Sequence, residues 1–303
     1  MSLFTRLAIE VLLAFALAHS AGAGVYALGT FAVASSYAPK RSFGTSARAL
    51  LREVIVTMFT QPLLLLFYFI GRRLDGLVVC RTKALSETDA GVPIVFVHGY
   101  TQNRVDFLYL ARALGRQGFG PLYAINYPWF ASIPSNAKRL ARFIDEVGAE
   151  TGNPSVDLVC HSMGGLIALE MIRNQDKSAV KVRKCVTLAT PHAGVAWRGQ
   201  LLFGAGAKSL LRGSTLLATH AAMHLSVPCL SVYSTHDNLV HPKETSSLAL
   251  RGGKDVEVAD VAHLAILFSP CVAEHVGRFL REPFAREPSS RMKVGSIAST
   301  QTL

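Results

Sequence analysis

The hydrophobic residues of the chain fall into two regions with different patterns. Residues 11–36 and 54–71 are uncharged apolar runs, and each is close to the length that spans a bilayer. Beyond the second run, short apolar stretches alternate with segments whose apolar residues recur at helical spacing. The first pattern predicts a helical N-terminal region over residues 1–85, and the second predicts a separate domain over residues 86–281.

Short apolar runs and amphipathic segments alternate along the second region. Fully apolar runs are typical of buried strands in a parallel sheet, and helical spacing predicts the helices that cover such a sheet. The predicted strands lie at residues 93–100, 122–127, 182–189, 227–234 and 255–258, with one more ending before Ser162. The predicted helices lie at residues 102–117, 136–151 and 265–280, with one more starting after Ser162. This alternation predicts the α/β class, with a mostly parallel sheet and helices on both faces.

The two apolar runs at the N-terminus allow three interpretations. We favour a membrane-anchoring helical hairpin, in which Pro62 kinks the second helix and Arg72 and Arg73 end it at the interface. A secretory signal peptide is one alternative, with Arg6 as its basic region and residues 21–23 as a cleavage site. A segment that docks on a surface, or a helix that packs against the main domain, is the other. The expected location is therefore a membrane, with secretion as the alternative.

Composition and charge narrow the set of partners. The chain has 303 residues, a net charge of +11 and a mean hydropathy of +0.32. The basic residues are scattered and lie in no recognisable nucleic-acid-binding motif, so we expect no nucleic-acid partner. Attraction to anionic lipid headgroups accounts for the charge better, given the apolar N-terminus. Residues 282–303 are basic, rich in Ser and Pro, and predicted to be disordered.

The sequence around Ser162 predicts a nucleophile. An apolar strand runs into Ser162 and an apolar helix starts at once, so the turn between them exposes the serine hydroxyl at the sheet edge. The pattern Cys160-x-Ser162-x-Gly164 resembles the G-x-S-x-G nucleophile elbow of α/β-hydrolases. Cys160 replaces the first glycine, where a small side chain is needed because strand and helix nearly touch. Cysteine is small enough for that position.

The acid partner of Ser162 is expected in a turn after a later strand. A serine hydroxyl needs a histidine to accept its proton and a carboxylate to orient that histidine. In the superfamily that the elbow resembles, the order along the chain is serine, acid, histidine. Asp237 meets this order because it lies in a turn just after an apolar strand. Asp255 and Asp260 are alternatives, but they lie beside or beyond the last strand and would break the order.

The expected base is His263, which follows the last strand and precedes the closing helix. The alternatives are His236, His241 and His275. The first two lie too close to Asp237 in the chain to reach around it, and the third lies within the closing helix. We therefore expect Ser162, Asp237 and His263 to form a catalytic triad.

An acyl-transfer site also needs two preorganised N–H donors for the oxyanion. One is expected to be the backbone N–H of Met163, at the start of the helix after the nucleophile. The other is expected to be the N–H of Tyr100, in a loop where Gly99 allows the turn and His98 packs beneath. The Tyr100 side chain could instead form a wall of the substrate pocket.

Two further motifs make the resemblance more specific. Residues 161–165 (His-Ser-Met-Gly-Gly) have the form common in bacterial triacylglycerol lipases, and residues 190–194 (Thr-Pro-His-Ala-Gly) resemble the T-P-H-x-G segment of the same lipases. Residues 92–281 are thus similar to a serine lipase or esterase of the α/β-hydrolase superfamily. The resemblance implies hydrolysis of carboxylic esters through an acyl-serine intermediate, with a lipid or another apolar ester as substrate and no cofactor.

The resemblance also implies a small cap over the site at residues 194–225, where such lipases carry a lid. Its leucines and basic residues suit an amphipathic element with an apolar inner face, which favours acyl chains over charged substrates. Simple packing over the sheet edge is the alternative. The expected substrate contacts are His161, Leu201, Leu202 and Phe203.

Three functions stay open on the sequence. A membrane-bound carboxylic ester hydrolase is favoured, and an acyltransferase would use the same triad to pass the acyl group to an alcohol. The third is a non-catalytic membrane-bound binding module, although all three triad positions are occupied. We expect no metal site, because His220-x-x-x-His224 lacks a carboxylate ligand, and no protein partner is evident.

Overall fold

The computed structural model describes residues 2–37, 42–66, 71–74, 91–174, 179–196 and 204–283. Six strands of this part of the chain form one sheet in the order β2-β1-β3-β4-β5-β6, and every neighbouring pair is parallel. The strands are β1 (Ile94–Val97), β2 (Leu122–Ile125), β3 (Ser155–His161), β4 (Lys181–Leu188), β5 (Cys229–Ser234) and β6 (Lys254–Val258). The predicted α/β class with a parallel sheet is confirmed.

The helices of the described residues lie on both faces of this sheet and at the N-terminus. They are α1 (Leu3–Tyr37), α2 (Phe43–Leu66), α3 (Leu108–Arg116), α4 (Ile133–Thr151), α5 (Met163–Arg173), α6 (Ala205–Leu210), α7 (Thr215–Ala221) and α8 (Pro270–Arg281). The predicted helix 265–280 is divided into a 3-10 turn at Ala265–Phe268 and α8. The division falls at Ser269, because its hydroxyl accepts from the Val272 N–H and so caps the start of α8.

Alternation of side chains along each strand gives the sheet two buried faces. In β1, Val95 and Val97 belong to the core that α4 and α5 cover, while Ile94 and Phe96 belong to the core under α3 and α8. All four side chains are fully or almost fully buried. Parallel strands covered on both faces need this continuous apolar composition. The carboxyl ends of the strands are thereby fixed relative to one another.

The first two helices form an antiparallel pair that packs tightly. A Cβ added to Gly24 of α1 would lie 3.1 Å from the Met58 side chain of α2, so the helices approach closely at that glycine. Nearby, the Ser20 hydroxyl donates to the Met58 carbonyl oxygen at 2.8 Å. Small residues of α1 thus allow it to pack closely on α2. We call these two helices the N-terminal hairpin.

The described part of the second predicted membrane segment, residues 54–71, belongs to a longer helix. This helix, α2, starts at Phe43 and packs against the sheet domain through buried Ala49 and Glu53, which precede the segment. The membrane interpretation of residues 54–71 stays a prediction. Residues 67–70 lie outside the described residues.

Arg72, predicted to mark a membrane interface, is held by the sheet domain. Its guanidinium forms ion pairs with Glu146 at 2.6 Å and Glu150 at 2.8 Å, both on α4. Its backbone carbonyl accepts from the Ala124 N–H, so residues 72–74 extend the edge of the sheet beside β2. Arg72 therefore ties the chain that follows α2 to the domain.

Within the described residues, one helical stretch, Thr5–Tyr37, is long and apolar enough to cross a membrane by length and composition. A signal sequence near the N-terminus has the same two properties. Six apolar side chains of its first half are each exposed by more than half of their surface: Leu7, Val11, Leu12, Leu13, Phe15 and Leu17. An apolar surface of this extent is typical of a face that contacts lipid or protein.

Two other predicted features are described only in part. The cap predicted at 194–225 contains α6 and α7, but residues 197–203 lie outside the described residues. The same holds for residues 284–303, which make up most of the predicted tail at 282–303.

Candidate active site

Ser162 occupies a sharp turn between β3 and α5. Its backbone has φ 52° and ψ −123°, an uncommon conformation for a residue with a side chain. Strain of this kind costs roughly 1–3 kcal/mol and is concentrated at functional sites. The Ser162 N–H donates to the Leu188 carbonyl oxygen at 2.8 Å, and α5 starts at the next residue, Met163. The turn therefore holds the serine at the carboxyl end of the sheet.

The positions two residues before and two residues after Ser162 have little room for side chains. A Cβ on Gly164 would lie 2.2 Å from the Val97 carbonyl oxygen and 2.5 Å from that of His98, so glycine is required there. Cys160, at the first position of the motif, is fully buried and lies in register with Val97 and Thr187. Its small side chain fits this position in the central strand.

The structure brings the three predicted triad side chains together. The Nε2 atom of His263 lies 3.0 Å from Ser162 Oγ, and its Nδ1 atom lies 3.0 Å from Asp237 Oδ2. Asp237 Oδ1 accepts from the backbone N–H groups of Leu239 at 2.8 Å and Val240 at 2.7 Å. These bonds fix the carboxylate, which in turn orients the imidazole. The arrangement is that of a nucleophile, a base and an orienting acid.

Burial and mutual attraction shift the pKa values of the acid and the base in opposite directions. Burial raises the pKa of Asp237, but the charge of His263, its hydrogen bond and the two backbone N–H groups lower that pKa further, to below its usual value. Burial lowers the pKa of His263, but the Asp237 carboxylate and the Glu53 carboxylate raise it, to above its usual value. The site therefore favours the ionised form of Asp237. It also stabilises the imidazolium that forms when His263 accepts a proton.

The two alternative acids have partners elsewhere. The Asp255 carboxylate accepts from the Ser247 hydroxyl and the Leu248 N–H. Asp260 forms an ion pair with Arg48 of α2 at 3.1 Å. Neither carboxylate is bonded to His263, so the structure favours Asp237 as the acid.

The alternative histidines also lie apart from the serine. His236 Nε2 lies 3.2 Å from Thr45 Oγ1 of α2, and the His241 ring packs on Tyr37 of α1 with a centroid separation of 4.6 Å. His275 lies on α8. The imidazole within hydrogen-bonding distance of Ser162 is that of His263.

The loop predicted to carry an oxyanion donor lies directly against the serine. A Cβ on Gly99 would lie 2.9 Å from Ser162 Cβ, so the loop and the elbow approach as closely as glycine allows. The Gly99 N–H donates to Gln102 Oε1 at 2.7 Å, which closes the loop into a tight turn. Tyr100 and Gln102 line the same cavity as Ser162. Met163 follows on the other side, at the first position of α5.

His98 packs beneath the loop that contains Gly99. The His98 ring stacks on Tyr127 with centroids 3.9 Å apart, and burial lowers its pKa to about 4, so it is neutral at pH 7. The position of His98 agrees with the structural role predicted for it.

His161, a predicted substrate contact, is placed elsewhere. Its ring is buried, with Nδ1 lying 2.7 Å from Gln102 Oε1 and Nε2 lying 3.0 Å from the His263 carbonyl oxygen. It does not line the cavity over Ser162. Because side chains alternate along a strand, the last residue of β3 points under the site rather than into it. His161 thus joins the Gly99 loop to the His263 loop.

A cavity of about 680 Å³ opens over Ser162 and His263. Most of its wall is apolar, and its polar lining comes from the sheet domain, with Ser162, His263 and Asn238, and from the N-terminal hairpin, with His19, Glu53, Thr57 and Gln61. One side comes from the sheet domain, including Tyr100, Trp129, Val195, Leu210, Leu239 and Val240. The other side comes from the N-terminal hairpin, including Ala18, Gly22, Ala23, Tyr26, Ala27 and Leu64. A cavity of this size with a few convergent polar groups suits a small apolar ligand.

The cap contributes to this cavity through Val195 and Leu210, on either side of the undescribed part. The side chains predicted to contact substrate, Leu201, Leu202 and Phe203, lie outside the described residues. The predicted cap thus lies beside the cavity, while much of the remaining apolar wall comes from the hairpin. The sequence did not predict this use of the hairpin.

Among the described residues, no group of three or more side chains is arranged to hold a metal ion. His220, from the pair with helical spacing, is fully buried and lies 3.0 Å from Glu170 Oε2 of α5. Its role in the described structure is a hydrogen bond that holds α7 against α5.

Two residues near the triad were missed by sequence reasoning. Gln102 closes the Gly99 loop, and Glu53 of α2 accepts from the backbone just after His263. A glutamate within a mostly apolar helix was the available signal for Glu53. The identity of its partner could not be predicted, because that partner is a backbone segment more than 200 residues away.

Residues 94–227 match the model of the alpha/beta hydrolase family. The matched segment runs from β1 to the entry of β5 and includes the elbow. It does not include Asp237 and His263, which follow it in the chain.

Solved structures with the same fold include several lipases. The mature form of Bacillus licheniformis lipase BlEst2 has a TM-score of 0.56 at 16% identity, with 66% of this chain and 96% of that chain covered. Aspergillus fumigatus lipase B has a TM-score of 0.58 at 16% identity, with 72% and 59% covered. At such low identity the similarity establishes the fold. The sequence match over residues 94–227, the sheet order and the serine elbow together show that this chain has the alpha/beta hydrolase fold.

Proposed function

We propose that the protein is a membrane-associated serine hydrolase that cleaves carboxylic esters with apolar acyl groups. The observation that carries the proposal is the hydrogen-bonded series from Ser162 through His263 to Asp237, at the base of an apolar cavity. Two lipases are among the solved structures with similar folds, which agrees with ester chemistry.

The geometry supports an acyl-serine mechanism. His263 Nε2 takes the proton of Ser162 Oγ as that oxygen attacks the ester carbonyl carbon. The resulting imidazolium then gives this proton to the leaving alkoxide as the C–O bond breaks. Water enters, His263 takes a proton from it, and the resulting hydroxide attacks the acyl carbon. The bond from that carbon to Ser162 Oγ then breaks, the acid leaves, and His263 returns the proton to Ser162 Oγ. Asp237 holds the ring and stabilises its charge through both half-reactions.

The tetrahedral intermediate needs donors on the side of the serine that faces the Gly99 loop. We assign the backbone N–H groups of Tyr100 and Met163 to this oxyanion hole. Met163 is at the N-terminus of α5, where N–H groups lack helical partners. The approach of the Gly99 loop to Ser162 supports the assignment of Tyr100.

The cavity wall supports an apolar acyl group. The space beyond the triad is bordered by small and apolar side chains of α1, including Gly22, Ala23 and Ala27. An acyl chain buried there gains about 0.8 kcal/mol per CH₂ group removed from water. Charged substrates would gain no comparable interaction along this wall.

We further propose that α1 holds the protein at a membrane and is retained in the active enzyme. Its first half exposes apolar side chains such as Leu12 and Leu17, while its second half forms part of the cavity. Removal of a signal peptide at residues 21–23 would delete Ala18, Gly22 and Ala23 from the wall. Membrane anchoring and the substrate site therefore depend on the same helix.

The proposal is tested with p-nitrophenyl esters of increasing acyl length, on the full-length protein in detergent micelles. We expect turnover that prefers medium or long chains to acetyl, and a loss of about 10⁴-fold or more in Ser162→Ala. Ser209→Ala is the matched control, because that hydroxyl is exposed on α6 and donates to a carbonyl of its own helix. Activity that survives in Ser162→Ala would contradict the enzyme assignment. A preference for acetyl esters would contradict the assignment of an apolar acyl group and leave the assignment as a serine hydrolase standing.

A further inference from the structure

Glu53 of α2 is buried and points at the backbone that carries His263. It is 3% exposed, and its carboxylate accepts from the Leu264 N–H at 3.0 Å and the Ala265 N–H at 2.8 Å. These two N–H groups begin the 3-10 turn at Ala265–Phe268, where backbone donors lack helical partners. Glu53 therefore supplies acceptors that this turn cannot supply for itself.

A second contact from the hairpin reaches the same loop. Asn238 Oδ1 accepts from the His263 N–H at 3.0 Å, and Asn238 Nδ2 donates to Thr30 Oγ1 of α1 at 2.7 Å. Thr30 is 2% exposed. The backbone N–H groups of residues 263–265 thus all donate to side chains. Glu53 belongs to the hairpin, and Asn238 is hydrogen-bonded to Thr30 of the hairpin. The position of the His263 backbone depends on both helices.

A buried carboxylate at this position calls for a functional explanation. Removing a carboxylate from water is costly unless hydrogen bonds or a positive charge compensate for it. Burial raises the pKa of Glu53, and the two backbone N–H groups oppose that rise because they stabilise its charged form. An apolar residue would bury at lower cost against the same domain, but it would leave both N–H groups without acceptors.

We propose that Glu53 is a positioning residue of the active site, which holds the His263 loop so that the imidazole meets Ser162 and Asp237 together. The N-terminal hairpin is then part of the catalytic apparatus as well as an anchor. This inference rests on the proposed serine hydrolase function. It adds a residue from outside the segment that matches the hydrolase family.

The mechanism of this effect is geometric. His263 must keep Nε2 near 3.0 Å from Ser162 Oγ while Nδ1 faces Asp237. A displacement of about 1 Å at a reacting group can lower a rate by about 100-fold. Loss of the Glu53 acceptors frees the backbone next to His263, so the rate of acylation falls. Glu53 also borders the cavity, but the apolar part of the wall stays in place.

The test compares Glu53→Ala and Glu53→Gln with the wild type, as full-length protein in micelles with a p-nitrophenyl ester of preferred length. In Glu53→Ala we expect kcat to fall by about 10- to 100-fold and KM to change by less than about threefold. Glu53→Gln keeps the shape and one acceptor oxygen, so its kcat should lie between those of the wild type and Glu53→Ala. Because the amide is nearly isosteric, Glu53→Gln also answers the question if Glu53→Ala does not fold.

Arg48→Ala is the matched control, since it removes an exposed α2 contact to Asp260, three residues before His263, and leaves the acceptors of the residue 263–265 N–H groups in place. A role limited to holding the hairpin would lower the melting temperature and leave kcat of the folded protein unchanged. The proposal is overturned if Glu53→Ala and Arg48→Ala have equal effects on kcat. It is also overturned if both Glu53 variants retain wild-type kcat while turnover still requires Ser162, a result that leaves the proposed function standing.

Discussion

At the scale of single residues, the site combines a strained backbone with buried charge. Ser162 is held at φ 52° between a central strand and a helix, where a residue with a side chain is uncommon. Asp237 is 2% exposed and bonded by two backbone N–H groups in addition to His263. Both features cost free energy of folding, and both are explained if the three side chains carry out acyl transfer.

The raised pKa of His263 predicts the pH dependence. His263 must be neutral to accept the serine proton, so activity falls as the pH drops below its pKa. Because the carboxylates of Asp237 and Glu53 raise that pKa, the acid limb of kcat/KM should have its midpoint above about 6.5, the ordinary imidazole value. A midpoint at or below the ordinary value, measured with a short soluble ester, would contradict this account of the charges.

Asp237→Asn tests the acid directly. The amide keeps the shape but loses the charge that fixes the His263 tautomer, so kcat should fall by about 10⁴-fold. Asp255→Asn is the matched control, because Asp255 was the alternative acid and bonds to Ser247 and Leu248 instead. A larger loss in Asp255→Asn than in Asp237→Asn would reassign the acid.

The sequence was sufficient to predict Ser162, Asp237 and His263 as partners, because each follows a strand and parallel strands end at one edge of the sheet. It did not predict that His161 bonds to Gln102 and to the His263 carbonyl oxygen beneath the site. It gave no basis for pairing Glu53 with the His263 loop. Contacts between a helix and a distant backbone segment leave no periodic pattern in a sequence.

At the scale of elements, the N-terminal hairpin has two different faces. The inner face of α1 borders the cavity with small residues such as Gly22 and Ala23, and the outer face exposes Val25 and Leu28. The apolar composition predicted both helices. Their use as a cavity wall was not predictable, because an apolar run has the same composition whether it contacts lipid, protein or substrate.

Gly22→Phe tests whether α1 limits the acyl chain. A Cβ at Gly22 would have no atom within 4 Å, so a phenyl group there can enter the cavity without displacing the fold. We expect kcat/KM for long acyl esters to fall by about 10-fold or more, while acetyl and butyryl esters are turned over normally. The measurement is the ester series described above.

Gly29→Phe is the control for this change. Gly29 also lies on α1 with no atom within 4 Å of its Cβ position, but it does not line the cavity. If Gly29→Phe shifts the chain-length preference as much as Gly22→Phe does, the shift comes from a general effect on α1. The cavity wall would then have to be placed elsewhere.

At the scale of the whole molecule, the hydrolase domain and the hairpin share one site. The domain supplies the triad, and the hairpin supplies a wall of the cavity and acceptors near His263. The exposed apolar side chains of α1 continue away from this cavity toward the N-terminus. An ester substrate dissolved in a lipid layer would therefore lie close to the route into the site.

Leu13→Asp/Leu17→Asp tests the membrane role. Both leucines are more than half exposed and neither lines the cavity, so the change leaves the triad intact. Each charge costs about 2.5–3.5 kcal/mol in a bilayer core, so flotation with vesicles of anionic and zwitterionic lipids should be lost. Turnover of a short soluble ester should stay at the wild-type rate.

Leu250→Asp is the control for this measurement, because Leu250 is a fully exposed leucine on the hydrolase domain. Equal loss of flotation in Leu250→Asp would show that binding is not specific to the hairpin. Retained flotation in the double variant would contradict a membrane role for α1.

The central claim is that Ser162 is an activated nucleophile, and covalent labelling tests it most directly. The full-length protein is treated with a fluorophosphonate, its intact mass is measured, and the modified peptide is identified. The account predicts one adduct per chain on the peptide that contains Ser162, with no adduct in Ser162→Ala. An unmodified wild-type protein, or an adduct that forms equally in Ser162→Ala, would contradict it.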